Sequence, residues 1–72
     1  MFYLIEYERK SFRTVLFKEF ASTEHEKASK ERLELELELN ERGIDHEVVI
    51  LEAANKEALR RTHRRYFNAL AA

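Results

Sequence analysis

The sequence predicts a small α+β domain of order ββαβα, a three-stranded sheet with two helices, and three observations predict it. Two strand-like runs, Phe2 to Glu8 and Thr14 to Phe20, lie close enough in sequence to pair as a hairpin. A Glu- and Leu-rich segment carries start and stop signals for one long helix. An unbroken apolar run then precedes an amphipathic pattern near the end of the chain. With no Pro, one Gly and no Cys, nothing marks a boundary or a linker, so residues 1–72 are expected to form one compact unit.

The first run places Tyr3, Ile5 and Tyr7 on one face and Phe2 and Leu4 on the other, the period of a strand. Glu8 to Ser11 reads as a turn, and because it lacks Gly or Asn a loose loop is expected rather than a tight primed turn. In the second run Val15 and Phe17 oppose Leu16 and Phe20. Thr23 with Glu26 three residues on has the form of a capping box, so a helix is predicted from about Glu24 to Arg42. Glu26 with Lys30 and Glu38 with Arg42 are favourable i,i+4 pairs. Gly43 stands where a left-handed residue ends a helix, with Ile44 placed to touch Leu39.

Alternation of Leu33, Leu35, Leu37 and Leu39 with Glu34, Glu36 and Glu38 imitates a strand, but the segment lacks β-branched residues and any preceding turn. Helix is therefore preferred. His46 to Glu52 holds Val48, Val49, Ile50 and Leu51 in succession, a strand apolar on both faces. Asn55 caps a last helix expected to run to about Leu70, with Leu59, His63, Tyr66, Phe67 and Leu70 on one side. Arg60, Arg61, Arg64 and Arg65 lie on the other. The third strand is placed beside the first, because the first is among the most apolar and suits the centre; this makes an antiparallel sheet of order 2-1-3. Order 1-2-3 is the alternative.

All three strands are apolar on both faces. Either the helices divide between the two faces of the sheet, or a second copy covers the one left open. On a helical wheel Leu33 and Leu37 fall near 0° and 40°, whereas Leu35, Leu39 and Ala28 fall near 200° to 240°. One leucine stripe can face the chain's own sheet, and the other calls for a partner. At this length only about 60% of the unfolded chain's surface can be buried, so association would add to a thin stability margin. The expected partner surface comprises Leu33, Leu35, Leu37, Leu39, Tyr3 and Tyr7, and the expected partner is a second copy or another protein. Acidic residues between the leucines make a parallel self-pairing repulsive; an antiparallel one relieves this.

Charge is unevenly placed. Residues 1–52 hold 8 Lys/Arg against 13 Asp/Glu, and residues 53–72 hold 5 against 1. The basic segment keeps a nucleic-acid interface as the alternative, through phosphate contacts from Arg60, Arg61, Arg64 and Arg65. Against it, a net charge of −1 is unlike the basic footprint usual for such proteins. The plainer account of the arginines is a solvated face that complements the helix dipole.

No motif points to catalysis. There is no nucleophile elbow and no phosphate-cradling Gly loop, and His25, His46 and His63 lack metal-ligand spacing. Neighbours His46 and Glu47 point to opposite faces of a strand, so they do not form an acid/base pair. No enzyme activity, cofactor, metal or small-molecule substrate is expected. Absence of Cys suits a reducing, cytoplasmic setting. The apolar run Phe2 to Ile5 is too short for a secretory segment, and no stretch approaches the roughly 20 residues of a membrane span. The last three residues, Leu70-Ala71-Ala72, resemble the end of the tag that bacterial trans-translation adds to stalled products. That resemblance implies a degradation signal; the favoured reading is an Ala-rich helix end.

Overall fold

The strand that is apolar on both faces, β1 (Phe2–Glu8), takes the middle of the sheet in the computed structural model, which describes residues 1–67. β2 (Arg13–Phe20) and β3 (Glu47–Glu52) flank it, both antiparallel to it, in the expected order 2-1-3. Burial explains the placement. Tyr3, Leu4, Ile5, Glu6 and Tyr7 of β1 are all buried, which only a central strand covered on both faces achieves.

The loop joining β1 to β2 is the loose one anticipated, and it bends through Phe12, which adopts φ 55° and stands 70% exposed. A non-Gly residue there costs on the order of 1 kcal/mol. The ladder between β1 and β2 slips where Glu6 pairs with Leu16 and Tyr7 with Thr14, leaving Val15 unpaired and exposed in a bulge. By absorbing one residue, the bulge turns Thr14 to the same face as Phe17. There its hydroxyl donates to the Tyr66 carbonyl.

Helix α1 (His25–Glu41) starts one residue later than expected, and the Thr23–Glu26 box does not form. Instead the Glu24 carboxylate accepts from the Ala21 amide at 2.8 Å, while the Glu24 amide donates to the Ala21 carbonyl at 2.9 Å. The reciprocal logic of a capping box is kept, two residues upstream and with the Ala21 carbonyl in place of a side chain. The other end matches its signal: Gly43 has φ 66°, its amide reaches the Asn40 carbonyl at 3.2 Å, and Ile44 reaches the Leu39 carbonyl at 2.9 Å. This pair of bonds is a Schellman motif. Of the two expected i,i+4 pairs, Glu38–Arg42 is made at 3.5 Å and Glu26–Lys30 is not among the ion pairs of the described residues; an unanticipated pair joins Arg32 to Glu36 at 3.4 Å.

Helix α2 (Lys56–Thr62) begins as expected, the Asn55 side chain accepting from the Ala58 amide at 2.8 Å. It ends eight residues short of the expected limit at Leu70, which lies outside the described residues, as does Leu70-Ala71-Ala72. The Thr62 hydroxyl donates back to the Ala58 and Leu59 carbonyls, His63 leaves helical geometry, and Arg64–Phe67 forms a 3-10 turn. Tertiary packing overrides the helical pattern here. Tyr66 packs edge-on to Tyr7 with centroids 5.2 Å apart, and Phe67 lies 5.4 Å from Phe17.

The helices divide between the faces. Leu59, Tyr66 and Phe67 cover Tyr3, Ile5 and Tyr7 on one side of the sheet, whereas Ala28 of α1 packs with Leu4 and Phe20 on the other. This corrects the expectation that Tyr3 and Tyr7 belong to a partner surface. They are 0% and 3% exposed, because the last helix and the turn after it supply the cover.

Candidate self-association surface

The two leucine stripes of α1 part as the wheel requires. Leu39 is buried and Leu35 half-buried on the side of Ala28, facing the sheet, while Leu33 and Leu37 are 57% and 58% exposed on the other side. The inward footprint of α1 is small, one alanine and two leucines, so the outward stripe is nearly as apolar as the inward one. Of the six residues expected at an interface, Leu33 and Leu37 are therefore the two that the described residues leave open.

Leu33 and Leu37 overhang an open groove of about 570 Å³ between α1 and β3, whose floor and wall include Leu39, Ile44, His46 and Val48. Among the described residues β3 is an edge strand, paired with β1 on one side only. Its four central residues, Val48 to Leu51, are only partly buried despite being apolar on both faces. The outward leucines of α1 and Val48 of the strand thus border the same groove. Charged groups rim it: Arg9, Glu36 and Glu47.

Two polar clamps hold the lower end of β3, one on each face. On the α1 face, His46 Nδ1 lies 2.5 Å from the buried Glu6 carboxylate and Nε2 lies 3.1 Å from Glu8. Glu6 and, secondarily, Glu8 raise the histidine above its usual pKa. Ser11 and then His46 lower that of Glu8. A protonated imidazole between two carboxylates is the arrangement both shifts describe.

On the opposite face Glu47 accepts from the Tyr66 hydroxyl and from Arg65 at 2.5 Å each, and pairs with Arg9 at 3.0 Å. The Tyr66 bond and then the two arginines hold Glu47 below the usual carboxylate range. Burial, followed by the same carboxylate, pushes the Tyr66 phenol up. The His46 and Glu47 side chains thus bind separate sets of partners.

The arginines are divided by the break at His63. Arg65 stacks on Tyr66 and Tyr7 at 4.8 and 5.4 Å besides binding Glu47, and Arg60 lies 5.5 Å above Phe67. These two cover aromatic rings of the fold. Arg61 and Arg64 are exposed and make no ion pair among the described residues. A four-arginine face is not what the backbone presents.

Sequence reasoning missed both clamps. His46 with Glu6 and Glu8, and Arg9 with Glu47, are 38 to 40 positions apart and meet only through β1–β3 register, while Tyr66 and Arg65 reach Glu47 from the turn after α2. Among the described residues no group of His, Asp and Glu is arranged to hold a metal ion, and no helix is long and apolar enough to cross a membrane. Compared with protein-family models, curated proteins and solved structures, the chain matches none.

Proposed function

We propose that this chain is a small non-catalytic interaction module that self-associates through the outward leucines of α1 and the adjoining edge of the sheet, working in the cytoplasm. The observation that carries the reading is the exposure of Leu33 and Leu37 beside an open groove bounded by β3, a half-buried strand whose outer edge has no partner among the described residues. Two leucines one helical turn apart, each more than half exposed, amount to a stripe rather than scattered surface residues. A chain this small gains from burying them. The nucleic-acid alternative retains Arg61 and Arg64 and is the weaker reading, since Arg60 and Arg65 are engaged within the fold.

Sedimentation across a concentration series tests this reading. The unmodified chain should run as a dimer, and Leu33→Lys with Leu37→Lys should run as a monomer with an unchanged circular dichroism spectrum. Because both leucines point outward, the paired substitution should alter folding stability by no more than about 0.5 kcal/mol per site. A strict monomer for the unmodified chain at high concentration overturns the reading.

A further inference from the structure

Edge strands present unpaired amides and carbonyls, and natural sheets guard them with charges, bulges or Pro. β2 is guarded: the bulge at Val15 interrupts its ladder, and Arg13, Lys18 and Glu19 are exposed along it. β3 has no such device between Glu47 and Glu52, and its centre reads Val48-Val49-Ile50-Leu51. We propose that a second copy of this chain pairs with that edge. The two β3 strands run antiparallel about a two-fold axis perpendicular to the sheet and centred on Val49, making a six-stranded sheet of order 2-1-3-3-1-2. This rests on the self-association reading above and adds its geometry.

Three independent features converge on that axis. The first is spacing. α1 packs on both β1 and β3, so its axis lies roughly midway between them, about 2.4 Å inside β3 for strands about 4.8 Å apart. The two-fold lies another 2.4 Å or so beyond β3. The two α1 helices would then run side by side roughly 10 Å apart, at the upper end of the 8–10 Å range in which packed helices touch. Strand pairing and helix contact are satisfied by one operation.

The second is charge. Helices related by this axis are antiparallel, which places Leu33 opposite Leu37 of the second copy. Lys30 then falls opposite Asn40 and beside Glu41, so each flank of the acidic helix brings a cation next to a carboxylate of the second copy. Leu33 and Leu37 face this way already, over the groove on the β3 side.

The third is register. Residues opposed in an antiparallel pair share a face of the sheet, so a two-fold perpendicular to it allows only registers in which one residue meets its own counterpart. Centring on Val49 sets Val48 against Ile50 on the α1 face and His46 against Glu52. On that face apolar meets apolar and the histidine held between two carboxylates meets a third, while on the other face Glu47 falls against Leu51. Centring on Ile50 would set Glu52 against Val48 and His46 against Ala54, which removes the histidine–carboxylate match.

Since the chain has no Cys, Val49→Cys introduces a single thiol. Mild oxidation should convert most of it to a disulfide-linked dimer, whereas Val15→Cys on the β2 edge should stay largely monomeric under reducing-free electrophoresis. Amide hydrogen exchange on the unmodified chain gives a readout that needs no variant. Alternate amides of β3 should exchange at least about tenfold more slowly as concentration rises through the dimerisation range, with β2 unchanged. A dimer by sedimentation that shows neither cross-linking at residue 49 nor concentration-dependent protection of β3 overturns this geometry and leaves self-association standing. A monomer at all concentrations overturns both.

Discussion

The two edges of this sheet are built from similar residues and treated differently. β2 contains Val15, Leu16, Phe17 and Phe20, yet its bulge throws Val15 out of the ladder and its remaining exposed positions are charged. β3 contains Val48 to Leu51 with no interruption and lies beneath the side of α1 that carries Leu33 and Leu37. A protected edge and an unprotected one in the same small sheet show that bare edges are not a general tolerance of this chain. The unprotected one lies where a helix offers further apolar surface, and the protected one does not.

Charging the bare edge should have the largest effect. Val48→Lys puts an ammonium on the groove wall, where a paired second copy would have to bury it or displace it. Self-association should weaken by roughly 100-fold, about 2.7 kcal/mol, measured by sedimentation equilibrium. Val15→Lys on the guarded edge should change association by less than about twofold, since that residue is already exposed and unpaired. Equal weakening by both substitutions would erase the distinction between the edges.

Much of the architecture is readable from the chain because it depends on local chemistry. Gly43 ends α1 and Asn55 starts α2 through bonds made within six residues, and β1, apolar on both faces apart from its two glutamates, goes to the middle because an edge position would expose it. The start of α1 was harder to place, since Glu24 and Thr23 compete for the same turn and the carboxylate wins by reaching Ala21. The end of α2 and the covering of Tyr3 and Tyr7 are not local at all. Thr14, fifty-two positions from Tyr66, takes its carbonyl, and two aromatic contacts draw the chain off its helical course. The wheel separated the leucine stripes correctly but could not say which of them faces outward. That depends on which side Ala28 occupies against Leu4 and Phe20.

The edges also differ in how they are secured. β2 is tied to β1 by a short hairpin, whereas β3 reaches β1 through a long helical connection and relies on its two terminal clamps. Tyr66→Phe removes the hydroxyl that donates to Glu47 and accepts from Arg65 at 2.8 Å while leaving the ring against Tyr7. Folding should be destabilised by about 1.5 kcal/mol in urea denaturation, the usual magnitude for a hydrogen bond to a charged group. Because Glu47 is held below the usual carboxylate range, the stability it contributes is present above about pH 4.5. It is lost as pH falls through its folded-state value, and Tyr66→Phe should blunt that acid loss.

The clamp on the other face should give the smallest effect and the opposite pH signature. His46 is raised above 6.5 in the fold, so its contribution is complete below that pH and disappears as pH climbs through the raised value. The groups facing it are Glu6 and Glu8 from β1, with Arg9 and Glu36 on the rim of the same groove. Unfolding free energy of the unmodified chain should therefore decline as pH rises above 6.5. His46→Gln should start lower by less than about 1 kcal/mol at pH 6, as for a partly exposed ion pair, and should show a flatter profile above it. An identical slope in the two proteins would mean that the imidazole takes up no proton between Glu6 and Glu8. If β3 pairs with a second copy, the slope should also steepen at dimeric concentrations, because Glu52 of that copy joins the two carboxylates that favour the charged ring.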